Sequence, residues 1–187
     1  MNPIMKDVKT SIETERLLLR RPEAGDGAVI NEAIRESIHE LKPWLVFAQK
    51  LPSTEETEEN ARRAHAKFLT RESLRYLVFL KEGDVYIGTT GFPDIDWDIP
   101  KLEIGYWVDT RHSGKGYMRE AVGAMTQYAL NELKFARLEI RCESENMKSR
   151  AIPEALGYDL EGVLRNEDLS VDGERLTDTC IYAKIRT

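Results

Sequence analysis

The hydrophobic and polar positions of this chain change period several times, and each change predicts a new element. Alternation with a period of two indicates a strand, and apolar residues three and four positions apart indicate an amphipathic helix. The predicted strands cover residues 15–21, 75–80, 85–92, 102–108, 138–142, 160–164 and 177–185. The predicted helices cover residues 28–38, 53–70 and 118–133, and a fourth, short helix ends at Gly157. The element order is close to βααββββαβαββ, which has one strand more than these seven segments.

Local signals support several of these boundaries. Ser53 or Thr54 is predicted to cap the second helix, because acidic residues crowd its first turn, where the helix dipole favours them. The pair Asp172-Gly173 is typical of a tight turn that closes a hairpin. Residues 1–187 contain no repeat and no linker-like segment, so they are predicted to form a single domain.

Composition narrows the classes of function. The chain has 187 residues with 27 Lys and Arg against 33 Asp and Glu, a net charge of −6. This acidic balance disfavours direct nucleic-acid binding, which depends on basic residues at phosphates. No apolar run has the length of a membrane span, and no signal-like segment opens the chain. We therefore expect a soluble cytoplasmic protein without a membrane partner, in which Cys142 and Cys180 stay reduced.

No metal site is predicted. The aspartates at positions 94, 96 and 98 imitate the start of a calcium loop, but Ile99 stands where that loop requires glycine. The three histidines are scattered and have no cysteine or second histidine at ligand spacing, so zinc has no support.

The most informative stretch, residues 108–117 (VDTRHSGKGY), joins a predicted strand to the start of a predicted helix. Backbone N–H groups at a helix N-terminus lack intrahelical partners, so a glycine-rich turn there can gather them around a phosphate. A nucleotide P-loop is excluded, because it needs a further glycine before Gly114 and a hydroxyl residue after Lys115. The alternative, that Gly114 and Gly116 only permit a tight turn, stays open.

The hexapeptide at 111–116 (RHSGKG) resembles the R-x-x-G-x-G acetyl-CoA signature of the GCN5-related N-acetyltransferase (GNAT) superfamily. Supporting motifs occur in the order that this family shows, namely TERLLLR at 14–20, LKPW at 41–44, EIGYWV at 103–108, NMKS at 146–149 and EALGY at 154–158. Together they are similar to the RimJ/RimL-like branch, which acetylates the N-termini of ribosomal proteins. The resemblance covers nearly the whole chain.

This resemblance implies an α/β (α+β) fold in which a mixed, mostly antiparallel sheet of about six or seven strands is flanked by about four helices. The sheet is expected to splay near its fourth and fifth strands and admit acetyl-CoA there. The implied cofactor-binding residues are Trp107, Val108, Asp109, Arg111, His112, Ser113, Gly114, Lys115, Gly116, Asn146, Ser149 and Arg150.

Asn146 and Ser149 have other candidate roles besides cofactor binding. The resemblance implies that Ser149 is a catalytic acid for the leaving thiolate. Asn146 and Ser149 could instead cap the short helix that follows them, which would satisfy its free N–H groups. Pro153 departs from the helix-forming residue usual in this motif and leaves the start of that helix open.

Transfer to an amine needs a base, and Glu103 is the leading candidate. The segment 102–108 alternates, so Glu103 is expected on the face opposite Leu102, and burial beside Trp107 would raise its pKa. A solvated surface glutamate is the alternative. Glu167 and Asp168 are the other candidate bases.

Trp44, Glu103 and Glu167 are the predicted substrate-binding residues, although Trp44 could instead fill core space. The expected activity is direct, acetyl-CoA-dependent N-acetyl transfer to a primary amine, most readily the N-terminal α-amino group of a ribosomal or other protein. A small cationic amine, such as a polyamine or aminoglycoside, is the second acceptor class, and a non-catalytic acyl-CoA-binding module is the alternative function. A homodimer is left open.

Overall fold

The computed structural model describes residues 2–186. Its strands are β1 Ser11–Glu13, β2 Leu17–Arg20, β3 Leu74–Leu80, β4 Val85–Phe92, β5 Lys101–Glu103, β6 Gly105–Val108, β7 Arg137–Glu143, β8 Asp159–Leu169 and β9 Leu176–Ile185. Its α-helices are α1 Gly27–Leu41, α2 Thr54–Thr70, α3 Tyr117–Gln127 and α4 Met147–Ala155. Shorter helical turns cover Pro3–Met5, Val46–Ala48, Thr110–His112 and Tyr128–Glu132.

The strands form two sheets, one of five strands in the order β1-β2-β3-β4-β6 and one of four in the order β5-β7-β9-β8. Every pairing is antiparallel except that of β5 with β7, which is parallel. The predicted α/β class and the mixed, mostly antiparallel arrangement are confirmed. The prediction missed β1, which has three residues and is too short to show a period.

The predicted strand 102–108 is two strands that belong to different sheets. β5 pairs with β7, and the N–H of Ile104 still donates to the carbonyl of Glu139 at 2.9 Å. From Gly105 onward the chain leaves β7 and pairs with β4 instead. The splay therefore begins between Ile104 and Gly105, inside the fourth predicted strand and beside the fifth, which is near the predicted place.

One apolar core connects the two sheets. Leu102 and Ile104 are buried with residues of both sheets and of α3, and Tyr106 packs against the same cluster. The opposite face of the five-stranded sheet is covered by α1 and α2, where Trp107 packs against a second cluster. The alternation predicted along 102–108 is confirmed, and it survives the change of partner strand.

Side chains define the helix ends. The hydroxyl of Ser53 accepts from the N–H of Glu56 while the Glu56 carboxylate accepts from the N–H of Ser53, a capping box that confirms the predicted start of α2. Helix α4 begins at Met147 and includes Pro153 in its interior. Over residues 2–186, no helix combines the length and apolar character that crossing a membrane requires.

Gly88 is predicted to hold β6 at its distance from β4. A Cβ atom at Gly88 would overlap the carbonyl oxygen of Trp107, which belongs to the backbone and has no room to move. Gly88→Ala is therefore expected to lower the free energy of unfolding by about 1–3 kcal/mol, measured by chemical denaturation. Gly162→Ala, where a Cβ meets nothing within 4 Å, is the control and should change it little. If both variants lose the same free energy of unfolding, the close approach of β4 and β6 does not require glycine at position 88.

Candidate functional site

A cavity of about 810 Å³ opens where the two sheets separate. Its walls come from β6, the turn that follows it and the start of α3 on one side, and from β7 and α4 on the other. The end of α1 forms part of the rim, where Glu40 accepts from the Lys148 ammonium group of α4 at 2.6 Å. Because β6 is the last strand of its sheet, one of its edges is free to face this cavity.

The turn between β6 and α3 has the backbone shape that its glycines predict. Gly114 and Gly116 have φ angles of 75° and 79°, in the left-handed region that glycine adopts without strain. A Cβ atom at Gly114 would meet nothing within 4 Å, so the backbone there borders open space. Gly116 is also the N-cap residue of α3, so the first N–H groups of that helix lie at this turn.

Arg111 is anchored to the protein rather than presented to the cavity. Its guanidinium group donates to both carboxylate oxygens of Asp109, at 2.6–3.1 Å, and to Glu32 of α1 at 2.8 Å. The Asp109 side chain is fully buried and also accepts from the N–H of Arg111 at 3.0 Å. The Ser37 hydroxyl accepts from the N–H of Thr110 at 2.8 Å, which is a second link between α1 and the turn.

Of the residues predicted to bind the cofactor, Trp107, Val108 and residues 112–116 line the cavity, whereas Asp109 and Arg111 do not. The structure therefore assigns the two charged residues a place in supporting the turn. Burial is the main cause that lowers the pKa of His112; the nearby Asp109 opposes this shift, and the cations Lys115 and Arg111 add to it. Its imidazole ring is thus biased toward the neutral form.

Two cations near the turn were missed by the sequence reasoning. A Cβ atom at Gly116 would lie 3.6 Å from guanidinium nitrogens of both Arg16 and Arg119. Arg119 lines the cavity, and its position three residues after Gly116, in the first turn of α3, was a usable signal. Arg16 could not have been found this way, because it lies in a different part of the chain.

On the α4 wall, the capping alternative is confirmed for Asn146. Its side-chain oxygen accepts from the N–H of Ser149 at 3.1 Å and so closes the start of the helix. Both residues also line the cavity. The Ser149 hydroxyl lies 3.2 Å from the hydroxyl of Tyr106 on β6.

Arg150 is not brought into the cavity. Its guanidinium group donates to the hydroxyl of Tyr182 at 3.0 Å and to the carbonyl of Ser144 at 2.9 Å. These contacts hold α4 to β9 and to the loop after β7. Arg150 is adjacent to Ser149 in sequence but points to the other side of its helix, because consecutive helical residues do not share a face.

Glu103 lies at the cavity on the face opposite Leu102, as predicted. Glu103 is an exposed residue of β5. Partial loss of solvent on its cavity side is the main cause that raises its pKa, and the nearby Glu139 raises it further, whereas Arg141 and Lys101 oppose the rise. Arg141 also lines the cavity and donates to Glu167 at 2.7 Å. Glu167 is therefore one residue removed from the cavity, and Asp168 lies beside it on β8.

Aromatic residues and one thiol complete the walls. Trp44 and Trp107 both line the cavity, and the rings of Phe47 and Trp107 have centroids 5.8 Å apart. Cys142 lines the opposite wall, where burial raises the pKa of its thiol to about 11. At neutral pH this thiol is therefore protonated and a weak nucleophile. Within residues 2–186, no group of three or more metal-ligating side chains occurs.

The acetyltransferase (GNAT) domain family matches residues 16–159. This match spans the turn, the split between the sheets and α4. It ends at the first residue of β8, so the closing hairpin lies outside it.

Individual proteins match over most of their length. The uncharacterized N-acetyltransferase p20 of Bacillus licheniformis is 28% identical over 176 residues, which cover 94% of this chain and 96% of that protein. The ribosomal-protein-serine acetyltransferase of Escherichia coli strain K12 is 28% identical over 147 residues, 77% of this chain and 80% of that protein. The structure of RimL, a ribosomal L7/L12 alpha-N-protein acetyltransferase in complex with coenzyme A, shares the fold with a TM-score of 0.84 and 24% identity, covering 94% of this chain and 98% of that one.

The bond between Asp109 and Arg111 is predicted to stabilise the whole turn. Arg111→Ala leaves a fully buried carboxylate without its guanidinium partner, so it is expected to lower the free energy of unfolding by about 1–3 kcal/mol in chemical denaturation. Arg63→Ala removes an exposed ion pair within α2 and should cost less than about 0.5 kcal/mol. If both variants lose the same stability, the anchoring role of Arg111 is wrong.

Proposed function

This chain belongs to the acetyltransferase (GNAT) domain family, and from that membership we propose that it transfers an acetyl group from acetyl-CoA to the N-terminal α-amino group of a protein. One observation carries the proposal. The cavity at the split joins an open glycine turn, suited to an anionic donor, to the Glu103 carboxylate at its wall, suited to an amine acceptor.

The residues present fit acetyl-CoA, which supplies the activated thioester. The N–H groups of residues 113–116 and the cations Lys115 and Arg119 would hold its phosphates, because dipoles and charges converge at this helix N-terminus. The free edge of β6 would bind the amide-containing arm by main-chain hydrogen bonds, as an added strand does. The side-chain nitrogen of Asn146 would add a donor, because capping uses only its oxygen.

Glu103 would receive the acceptor. A protonated amine is attracted to a carboxylate, and the raised pKa of Glu103 makes this carboxylate a better base than a glutamate with the ordinary pKa. The amine becomes nucleophilic when Glu103 removes its proton, directly or through a water molecule. Ser149, on the α4 wall, would turn its hydroxyl from Tyr106 to the leaving sulfur, give the sulfur its proton and regain a proton from water.

The transfer would be direct. An acetyl-enzyme intermediate on Cys142 needs a thiolate, and the raised thiol pKa opposes its formation. The two thiols are free in the structure, which agrees with the cytoplasmic location that we propose.

A protein N-terminus is preferred over a small amine because the E. coli relative is named for a ribosomal-protein serine and the RimL structure for an alpha-N-protein activity. Polyamines and aminoglycosides present the same cationic amine to Glu103 and remain the second acceptor class. A non-catalytic acyl-CoA-binding module would need no carboxylate at the cavity. A homodimer stays a prediction.

Glu103→Gln is expected to lower kcat by about 10²–10⁴-fold, the range of a general base, while acetyl-CoA binding is kept. The base acts when deprotonated, so the wild-type rate should fall as the pH drops through a pKa above the ordinary value of 4.5. Rates are measured as thiol release with N-terminal peptides and small amines across pH. Glu167→Gln is the matched comparison. If it abolishes the acidic limb and Glu103→Gln does not, Glu167 is the base.

Gly114→Val is expected to weaken CoA binding by at least about tenfold in calorimetry, because a branched side chain disfavours the left-handed backbone and enters the space above the turn. Gly173→Val is a close control. Gly173 has a φ of 76°, and a Cβ there also meets nothing within 4 Å, but it lies in the loop between β8 and β9. Equal losses of CoA affinity would contradict a phosphate-binding role for the turn.

A further inference from the structure

Pro153 lies in the interior of α4, where proline is costly. A residue at this position normally donates its N–H to the carbonyl four residues earlier, which is that of Ser149. Proline has no N–H, and its ring crowds that same carbonyl. The Ser149 carbonyl is therefore left without its usual partner, at the residue whose side chain lines the cavity.

The Tyr106 hydroxyl takes the place of the missing donor. It donates to the Ser149 carbonyl at 2.8 Å, and its oxygen accepts from the Ser149 hydroxyl at 3.2 Å. Burial raises the pKa of Tyr106 far above its ordinary value, so it stays a donor throughout the working pH range. One tyrosine therefore makes contact with both the backbone and the side chain of Ser149.

This contact crosses the split between the sheets. Tyr106 belongs to β6 of the five-stranded sheet, and Ser149 belongs to α4, which packs on β7 of the four-stranded sheet. A helix with an ordinary residue at position 153 would use the Ser149 carbonyl internally. The bond across the cavity would then compete with the helical N–H for this carbonyl and be weakened.

We propose that Pro153 is a positioning residue for acetyl transfer, because it frees the Ser149 carbonyl to fix Tyr106 and, through it, the Ser149 hydroxyl at the cavity wall. The inference rests on the proposed function, in which Ser149 faces the leaving sulfur. Pro153 is buried and does not line the cavity, so it acts only through its neighbours.

In the Pro153→Ala variant, thermal stability and catalytic rate are expected to change in opposite directions. Pro153→Ala restores an N–H and removes the ring from the helix interior, so the melting temperature should rise. The same change gives the Ser149 carbonyl an intrahelical donor, which weakens its hydrogen bond with Tyr106. We expect kcat to fall by about tenfold or more, with KM for acetyl-CoA unchanged within about twofold, because displacing a catalytic group affects the reaction step.

Tyr106→Phe, Pro153→Ala and the double variant form a cycle with the wild type. In the wild type, Tyr106→Phe leaves the Ser149 carbonyl unpaired and should raise the unfolding equilibrium constant by about tenfold. In the Pro153→Ala background this effect should largely disappear, because the helix supplies the donor. Chemical denaturation measures this coupling without any substrate. Additive effects on unfolding would contradict the proposed hydrogen-bond exchange.

The kinetic half of the cycle tests the positioning role. The double variant should have the same kcat as either single variant, because each one disrupts the same contact. Pro93→Ala, an exposed proline outside the cavity lining, is the control and should keep the wild-type kcat. If the wild type is active and the Pro153→Ala variant has the same kcat, the positioning role of Pro153 is wrong and the proposed function is unaffected. A wild type that releases no thiol with any amine overturns the proposed function, and the positioning role with it.

Discussion

The structure depends on one exchange of hydrogen-bond partners in the segment from Lys101 to Val108. Its first half is bound to β7 and its second half to β4, so two sheets share one strand path and diverge from a single point. A backbone group that leaves one partner must find another or face solvent. Along β6 the backbone groups on the edge away from β4 have no partner strand and face the cavity. These groups can hydrogen-bond a ligand, so the gap between the two sheets is also a place where a ligand can bind.

The two faces of this segment carry different candidate functional residues. Tyr106 points toward α4 and the main core, while Glu103 and Trp107 point to the opposite side. A donor held along the turn and α4 and an acceptor held at Glu103 would therefore approach the split from different directions. The strand alternation that buries Leu102 is the same property that separates the two binding regions.

Most of the element order could be predicted, because local periodicity determines it, and so could the capping of α2 at Ser53. The division of 102–108 could not, since both halves keep the same alternation and only tertiary pairing separates them. Glu103 and the glycines of the turn were predicted from type and position together with the family resemblance, and the structure places them at the cavity wall. Arg111 was expected at the cavity but faces the buried Asp109, and the direction of a long side chain is decided by partners that the local motif does not specify.

Because Arg111 points toward Asp109, the R-x-x-G-x-G motif has a different meaning in this protein from the one expected from its sequence. The guanidinium group of Arg111 is hydrogen-bonded to Asp109 and Glu32, so the motif indicates a backbone conformation rather than a set of charged ligands. Uncharged N–H groups bind phosphate through dipoles that release no counterions of their own. Affinity supplied by this part of the turn should therefore depend less on ionic strength than affinity supplied by Lys115 and Arg119.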